Sequence, residues 1–253
     1  MHDLDPDRLG GPGWLDRSGG RLTSAERRRL VATVLGAQAR GLLGRLRLAT
    51  GHRGRADLDP GDPPTSRLTR TAEEAAAVQS AALLGHARRT WVFGRALAGH
   101  DGVALDDELF YVGCLLHDVG LMEVVAGEDF TRRSAEAATT AAMASDRPEV
   151  GDRLGDVIVA HTTPGLTIER DGAEAVYLQA GATCDLGGLR LETFAADDVG
   201  RLLDRHPRGG LVADIVPRIR AEADAVPDGR FALLCRLGFP QAIRLAPGFG
   251  EQR

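Results

Sequence analysis

The segment ELFYVGCLLHDVGL, residues 108–121, carries the clearest pattern in this sequence, because an apolar run ends in two polar residues. Asp106 can cap the helix that the run predicts over residues 107–118. The run closes on His117 and Asp118, an imidazole beside a carboxylate, and both groups are ligands of borderline divalent cations. The pair therefore indicates either a local hydrogen bond or part of a metal site that other segments complete.

The two side chains can face one point only near a helix end, because adjacent residues lie about 100° apart around the helix axis. Gly120 follows the pair. We expect this glycine to let the chain turn away and open that point to solvent.

Three further polar residues lie on or at the end of apolar helical segments. His86 interrupts AALLGHARRTWVFG, His161 ends DVIVAHT, and Asp185 ends YLQAGATCDLGG. A single histidine there is more often a satisfied core residue than a ligand, and Asp185 can simply be a polar helix end. A carboxylate at a helix C-terminus opposes the helix dipole, however, which indicates positive charge nearby. With His117 and Asp118, the set is typical of a metal site in a helical bundle.

The remaining chain predicts helices and no strand. Two capping boxes, Thr23 with Glu26 and Thr71 with Glu74, mark helix starts. The β-branched VIVA at 157–160 lies within a helix-length pattern, so we predict helix there as well. The expected helices cover residues 24–49, 72–99 (with a bend or restart near Gly85), 107–118, 132–145, 149–161, 172–185, 195–204, 210–225 and 230–238. The predicted fold class is all-α, with about eight or nine helices.

The chain divides into two regions at a loop rich in glycine, proline and aspartate, residues 50–66. Residues 1–66 are expected to form a poorly ordered leader (1–20), a helix and this loop, packed on the main domain or on a partner subunit. Residues 67–253 are expected to form the helical bundle with its C-terminal helices.

Composition narrows the class of protein. The chain has 253 residues, 43% of them hydrophobic, which suffices for one large domain. Its net charge is −5 and no broad basic field is evident, so nucleic acid is not expected as a partner. Three cysteines without CxxC spacing, no signal-peptide pattern and no long apolar span lead us to expect a cytoplasmic protein that does not enter a membrane.

Four segments taken in order resemble a known family. GHARRTWVFGRALA, ELFYVGCLLHDVGL, DVIVAHTTPGL and AGATCDLGG are similar to the HD-domain superfamily of metal-dependent hydrolases, and most of all to its cyanamide hydratase-like branch. The resemblance covers residues 68 to about 195, and it implies an HD-domain helical bundle.

The resemblance also implies a ligand set. It assigns His86, His117, Asp118 and Asp185 as metal ligands, with His161 lining the pocket. Members with two metals carry two additional histidines between the HD pair and the final aspartate, whereas only His161 lies there in this chain. We therefore expect one divalent ion, which can be zinc, iron, manganese, cobalt or nickel.

The expected chemistry is attack by a metal-activated water on a small substrate. Asp118 would help to take the proton. His161 would act as a proton shuttle, or else be a core histidine bonded to a carbonyl. Arg89, one helical turn after His86, would clamp a phosphate, or else form a structural ion pair.

The activity usual in the family that the chain resembles favours a phosphohydrolase acting on a small phosphoester, for which Arg89, with Arg132 or Arg133, would bind the phosphate. The small number of such cations and the branch resemblance favour the first alternative below. The alternatives are cyanamide hydratase-like hydration or hydrolysis of a nitrile-like or amide substrate, and a non-catalytic module with a structural metal. The substrate is expected to be a small molecule, and the N-terminal region is compatible with a homo-oligomer.

Overall fold

The fold is that of a computed structural model, which describes residues 4–59 and 61–249. Within these ranges the chain forms thirteen α-helices and no β-strand, which confirms the all-α prediction and exceeds the expected number of helices. None of these helices combines the length and hydropathy of a membrane span. The α-helices are α1 (Pro12–Ser18), α2 (Ser24–Ala49), α3 (Arg67–Ala76), α4 (Ala81–His100), α5 (Asp107–Leu116), α6 (Phe130–Ala144), α7 (Gly151–Ala160), α8 (Ile168–Asp171), α9 (Ala173–Gly187), α10 (Ala196–Arg205), α11 (Leu211–Ala225), α12 (Arg230–Arg236) and α13 (Phe239–Arg244).

The helix expected over residues 72–99 is in fact two helices, α3 and α4. Ser80 interrupts them, because its side chain accepts a hydrogen bond from the Leu83 amide and so caps α4. The capping box predicted at Thr71 is wrong. Its hydroxyl donates to the Arg67 carbonyl one turn back, and Ser66 caps α3 instead. The capping box of Thr23 and Glu26 is confirmed.

The N-terminal residues from Leu4 onward are not a poorly ordered leader. The helix α1 lies among them, with Trp14 and Leu15 buried. Arg8 is also buried, and its guanidinium binds Asp156 on α7 and Asp171 on α8. The composition, rich in glycine and proline, gave no sign of the two kinds of contact that hold this segment on the domain. These are the burial of apolar side chains of α1 and the ion pairs of Arg8. The first three residues lie outside the described ranges.

The centre of the bundle is a close contact between α4 and α9, the pair of helices with the most extensive packing. A Cβ on Gly181 would lie 2.2 Å from the Thr90 carbonyl oxygen, and one on Gly94 would lie 2.5 Å from the Tyr177 carbonyl oxygen. Only glycine allows the two backbones to approach this closely. The helices α5, α6 and α7 pack around this pair and complete the main core.

Candidate metal centre

The site lies where the C-terminal ends of α5 and α7 meet the second turn of α4. His86, on α4, and His117 and Asp118, directly after α5, are all buried, and one ligand atom from each lies within 4.8 Å of the others. The Asp118 Oδ2 atom is 3.3 Å from His117 Nε2 and 3.6 Å from His86 Nε2. Ligands with bonds of about 2.0–2.2 Å in a tetrahedral site are separated by about 3.3–3.6 Å, so the three atoms fit one metal ion.

The two imidazoles present unpartnered nitrogen atoms to this point. The Nδ1 atom of His117 donates to the Cys114 carbonyl at 2.8 Å, and that of His86 lies 2.7 Å from Asp185 Oδ2. These contacts place the proton on Nδ1 and leave the lone pair on Nε2 in the neutral ring. Both Nε2 atoms are buried without a hydrogen-bond partner. A buried polar atom without a partner is unfavourable, and a metal ion would satisfy both atoms at once.

Asp185 lies on the other side of the His86 ring. Its carboxylate contacts His86 Nδ1 and accepts two hydrogen bonds from Arg89, from Nε at 2.7 Å and from Nη2 at 3.0 Å. The structure therefore brings His86, His117 and Asp118 together, and it places Asp185 one ring away from them. The expected fourth ligand is thus engaged with an imidazole and a guanidinium.

Arg89 is fully buried, and its guanidinium is directed at Asp185 rather than into the ligand cluster. Its Nη1 atom donates to the carbonyls of His206 and Pro207, so every guanidinium nitrogen has an acceptor. The structural ion pair considered for this residue exists, with Asp185 as the partner.

Sequence reasoning missed Arg208. It lies in the loop between α10 and α11, where its Nε and Nη2 atoms donate to the Asp185 carbonyl at 3.1 and 2.9 Å. The positive charge expected near the carboxylate at the end of α9 is therefore supplied by Arg89 and Arg208. No local pattern in the HPRGG segment identifies this arginine, because its partner lies more than twenty residues earlier in the chain.

His161 follows α7 and faces the cluster from a third side. Its Nδ1 atom binds the Ile158 carbonyl, and its Nε2 atom lies 3.8 Å from Asp118 Oδ1. Its ring packs edge-on against that of His117, with the centroids 5.0 Å apart. The carbonyl contact of a core histidine is thus present, and it leaves the other nitrogen directed at the site.

The two carboxylates are ionised in spite of their burial. Burial alone raises the pKa of Asp118, but the neighbouring imidazoles, His117 foremost, outweigh it, and the pKa falls below its ordinary value. Burial also raises the pKa of Asp185, and the charge of Arg89 together with the hydrogen bond to His86 reverses the direction. Both groups are therefore anions at neutral pH, which is the form that attracts a cation.

The pKa values of the three imidazoles shift in different directions. Burial lowers the pKa of His86, and the contact with Asp185 offsets this only in part. Burial, together with the charge of His117, lowers the pKa of His161 to about 3. Burial also opposes the charged form of His117, but the adjacent Asp118 outweighs it and raises the pKa. His86 and His161 are therefore neutral at pH 7.

The cluster is enclosed rather than open to solvent, contrary to the expectation from Gly120. That glycine is buried, and a Cβ on it would lie 2.2 Å from the Phe130 carbonyl oxygen, so its role is close packing against α6. Asp118 and His161 keep 4% and 7% of their surface exposed, the most of the four residues at the cluster's centre. A cavity of about 1090 Å³ lies elsewhere, among α1, α6, α7 and α8.

Comparison with known proteins agrees with this geometry. No curated protein matches the chain significantly. The family model of the HD domain matches residues 83–226, which is more than half of the chain and includes all the residues of the cluster. The chain therefore belongs to the HD domain family.

Proposed function

We propose that the protein is a metal-dependent hydrolase in which His86, His117 and Asp118 hold one divalent ion. The observation that carries this proposal is the pair of buried Nε2 atoms without partners, each within 3.6 Å of the ionised Asp118. The family supports it, because HD domains generally belong to metal-dependent hydrolases. When bound, a divalent ion would lower the pKa of a coordinated water from about 16 towards about 7.

The chain's own residues provide a route for the proton. Asp118 directs Oδ2 at the two ligand histidines and Oδ1 at His161 Nε2. With Nδ1 of His161 bound to a carbonyl, the lone pair of the ring is on Nε2, the atom directed at Asp118, where it can accept a proton. We assign Asp118 the first proton transfer and His161 its relay or the positioning of substrate.

Asp185 can complete the site in two ways. As the fourth ligand implied by the resemblance, its carboxylate would have to leave either His86 or Arg89. As an orienting residue it would keep both contacts and hold the His86 ring with Nε2 directed at the ion. The hydrogen bonds in the structure favour the second role, with Arg89 as a positioning residue for Asp185.

The arginines near the site limit which substrates it can bind. The three arginines considered for binding a phosphate are all paired: Arg89 with Asp185, Arg132 with Asp16, and Arg133 with Glu128 and Glu222. A phosphoester would therefore rely on the metal for charge neutralisation. The arrangement favours the second candidate, hydration or hydrolysis of a small uncharged nitrile-like or amide substrate, over the phosphoester that the sequence favoured.

The cysteines bear on the cellular compartment of the protein. Cys114, Cys184 and Cys235 are free thiols, which supports a reducing compartment and hence a cytoplasmic location. We propose a small molecule rather than nucleic acid as the substrate, because the buried site is too enclosed for a polymer.

The test is metal content and activity, measured together. We expect about one equivalent of metal per chain in protein purified without chelator, lost in His117→Ala and kept in His100→Ala, an exposed histidine at the far end of α4. Activity on a panel of phosphomonoesters, phosphodiesters, nitriles and amides should follow metal content.

Two equivalents would refute the single-ion site, and an equal metal content in both variants would remove the ligand assignment. Wild-type protein that binds one metal, needs it to fold and turns over no member of the panel would instead indicate the structural-metal alternative.

A further inference from the structure

The helix α2 carries an apolar stripe that no part of the described chain covers. Leu35, Leu42, Leu43 and Leu46 are each more than half exposed, while Leu48 and the earlier apolar residues of the helix pack on the body. At 100° per residue the four leucines span an arc of about 100°, and they extend about 16 Å along the axis. We call these four residues the leucine stripe.

Arginines border the leucine stripe on both sides. Residues 27–56 contain eight arginines and no acidic residue, although the whole chain has a net charge of −5. By helical geometry, Arg40 and Arg47 lie along one edge of the stripe and Arg45 along the other. All three are exposed, and within residues 4–59 and 61–249 none forms an ion pair. The exposed face of α2 is thus apolar in the middle and cationic at its edges.

A second uncovered surface has the opposite charge. The cavity of about 1090 Å³ has an apolar floor that includes Leu15 and Val157. Seven acidic residues line it, among them Glu136, Asp152 and Glu169. These three acidic side chains are exposed and have no ion pair in the described part of the chain. We call this cavity the acidic groove. At about 1090 Å³ it lies at the upper end of the range of ligand sites, about 300–1000 Å³, and is large enough for a row of side chains.

The basic side chains of the acidic groove leave the carboxylates of Glu136, Asp152 and Glu169 without an ion pair. Arg132 is paired with Asp16 and Arg153 with Asp106, so both guanidinium groups are already matched. The groove therefore combines an apolar floor with unmatched negative charge, which is the complement of the α2 face.

We propose that α2 of one copy of the chain docks in the acidic groove of a second copy, with the leucine stripe on the groove floor and the arginines facing the carboxylates. Packing of α2 against α2 would bring like charges together, which is unfavourable. An anionic lipid surface would match α2 but would leave the groove without a role. A two-fold arrangement in which each copy provides both surfaces closes as a dimer, and any other arrangement forms a ring or a chain.

The proposal predicts self-association that depends on charge. By sedimentation velocity and light scattering, the full chain should form assemblies of at least twice 26.9 kDa, and these should weaken as salt rises. The double variant Arg40→Glu/Arg47→Glu and the double variant Glu136→Arg/Asp152→Arg should each weaken association by about tenfold or more. The quadruple variant should recover association, because it exchanges the charges across the same interface.

The matched control is Arg70→Glu/Arg220→Glu, which reverses two exposed arginines outside both surfaces and should associate like wild type. Circular dichroism verifies that each variant is folded. A wild-type chain that is monomeric at all concentrations overturns the proposal. So does an assembly that the groove variant does not affect, or one that the charge exchange does not restore. Monomers that bind vesicles of one part phosphatidylserine to three parts phosphatidylcholine would assign α2 to lipid instead.

Discussion

In each of the two proposed histidine ligands, a hydrogen bond to one ring nitrogen fixes the direction of the other. His117 anchors Nδ1 on a carbonyl of its own helix, so its orientation is local and follows from its position at the end of α5. His86 anchors Nδ1 on Asp185, a residue of a different helix. Its orientation therefore depends on tertiary packing, and Asp185 acts on the site through that ring.

The variant Asp185→Asn tests this assignment. The amide keeps the size of the side chain but loses its charge, so the contacts with His86 and Arg89 weaken. We expect metal to remain bound at about one equivalent under saturation, with an affinity about 10- to 100-fold lower. Titration with a competing chelator measures this change. Complete loss of metal at saturation, in a folded variant, would instead make Asp185 a ligand.

The variant His161→Gln separates a catalytic role from a structural one. If His161 relays the proton, kcat should fall about 10²- to 10⁴-fold while metal content stays unchanged. If it is only a core histidine, unfolding free energy should fall and kcat per folded molecule should not. Elemental analysis, denaturant unfolding and steady-state kinetics on the same preparation distinguish the two.

Residue-level prediction from sequence succeeded where neighbours in the chain are neighbours in space. His117 and Asp118 are adjacent, so their convergence followed from position at a helix end. The partner of Arg89 could not be predicted in this way. Spacing places a residue on one face of a helix, but it does not tell which group of the neighbouring elements that residue contacts. Arg89 was expected to clamp a phosphate or to form a structural ion pair, and its partner in the structure is Asp185.

At the scale of elements, the contact between α4 and α9 positions the site. Gly181 and Gly94 let the two helices approach until His86 and Asp185 are in hydrogen-bond range. Replacement of Gly181 by alanine would place a methyl group 2.2 Å from the Thr90 carbonyl oxygen, so the helices must separate.

We expect Gly181→Ala to lower the free energy of unfolding by about 1–3 kcal/mol, as overpacking does, and to weaken metal binding as His86 moves. Urea denaturation and chelator titration measure the two effects. The control is Gly187→Ala on the same helix, where a Cβ meets no atom within 4 Å. Alanine is the better helix former, so the control should be neutral or slightly stabilised. Equal effects of both substitutions would contradict the packing explanation.

Helix positions were well predicted from periodicity, whereas their boundaries and number were not. The helix α7 was identified in spite of VIVA, because these residues lie within a helix-length segment, and all four of them are buried in the structure. The helices α1, α8 and α13 have seven, four and six residues, two turns or fewer, which is a weak periodic signal. Tertiary packing of buried residues such as Trp14 holds α1 in place.

At the scale of the whole molecule, the net charge of −5 averages over an uneven distribution. The expectation that no basic field exists followed from that average. In three dimensions the unpaired arginines of α2 form one face, while unpaired carboxylates line the acidic groove. Composition gives the sum of the charges, but only the fold tells which of them remain unmatched by a neighbour.

Stability should depend on pH through Glu222, which is buried on α11 beside Arg133. Burial raises the pKa of this carboxyl to about 7, an effect that the charge of Arg133 only partly offsets. Between about pH 4.5 and 7 the folded state then binds a proton that the unfolded state has released. Stability contributed by this group is therefore lost as pH rises through that window.

Glu222→Gln should flatten this pH dependence. We expect the free energy of unfolding of wild type, measured by urea denaturation, to decline more steeply from pH 5 to 7 than that of the variant. Parallel profiles would show that another group titrates in this range. Glu128→Gln is the control, because Glu128 also pairs with Arg133 but is more exposed.

The contact between α4 and α9 also has a consequence during synthesis. The last of the three proposed ligands, Asp118, emerges from the ribosome 67 residues before Asp185, the residue that contacts the His86 ring. At elongation rates of about 5–20 residues per second, this leaves several seconds in which the ligands exist without the helix that secures His86. A nascent chain can therefore acquire its ion before α9 forms, and the metal available at that moment, rather than the preference of the finished site, would decide which ion the closing helix encloses.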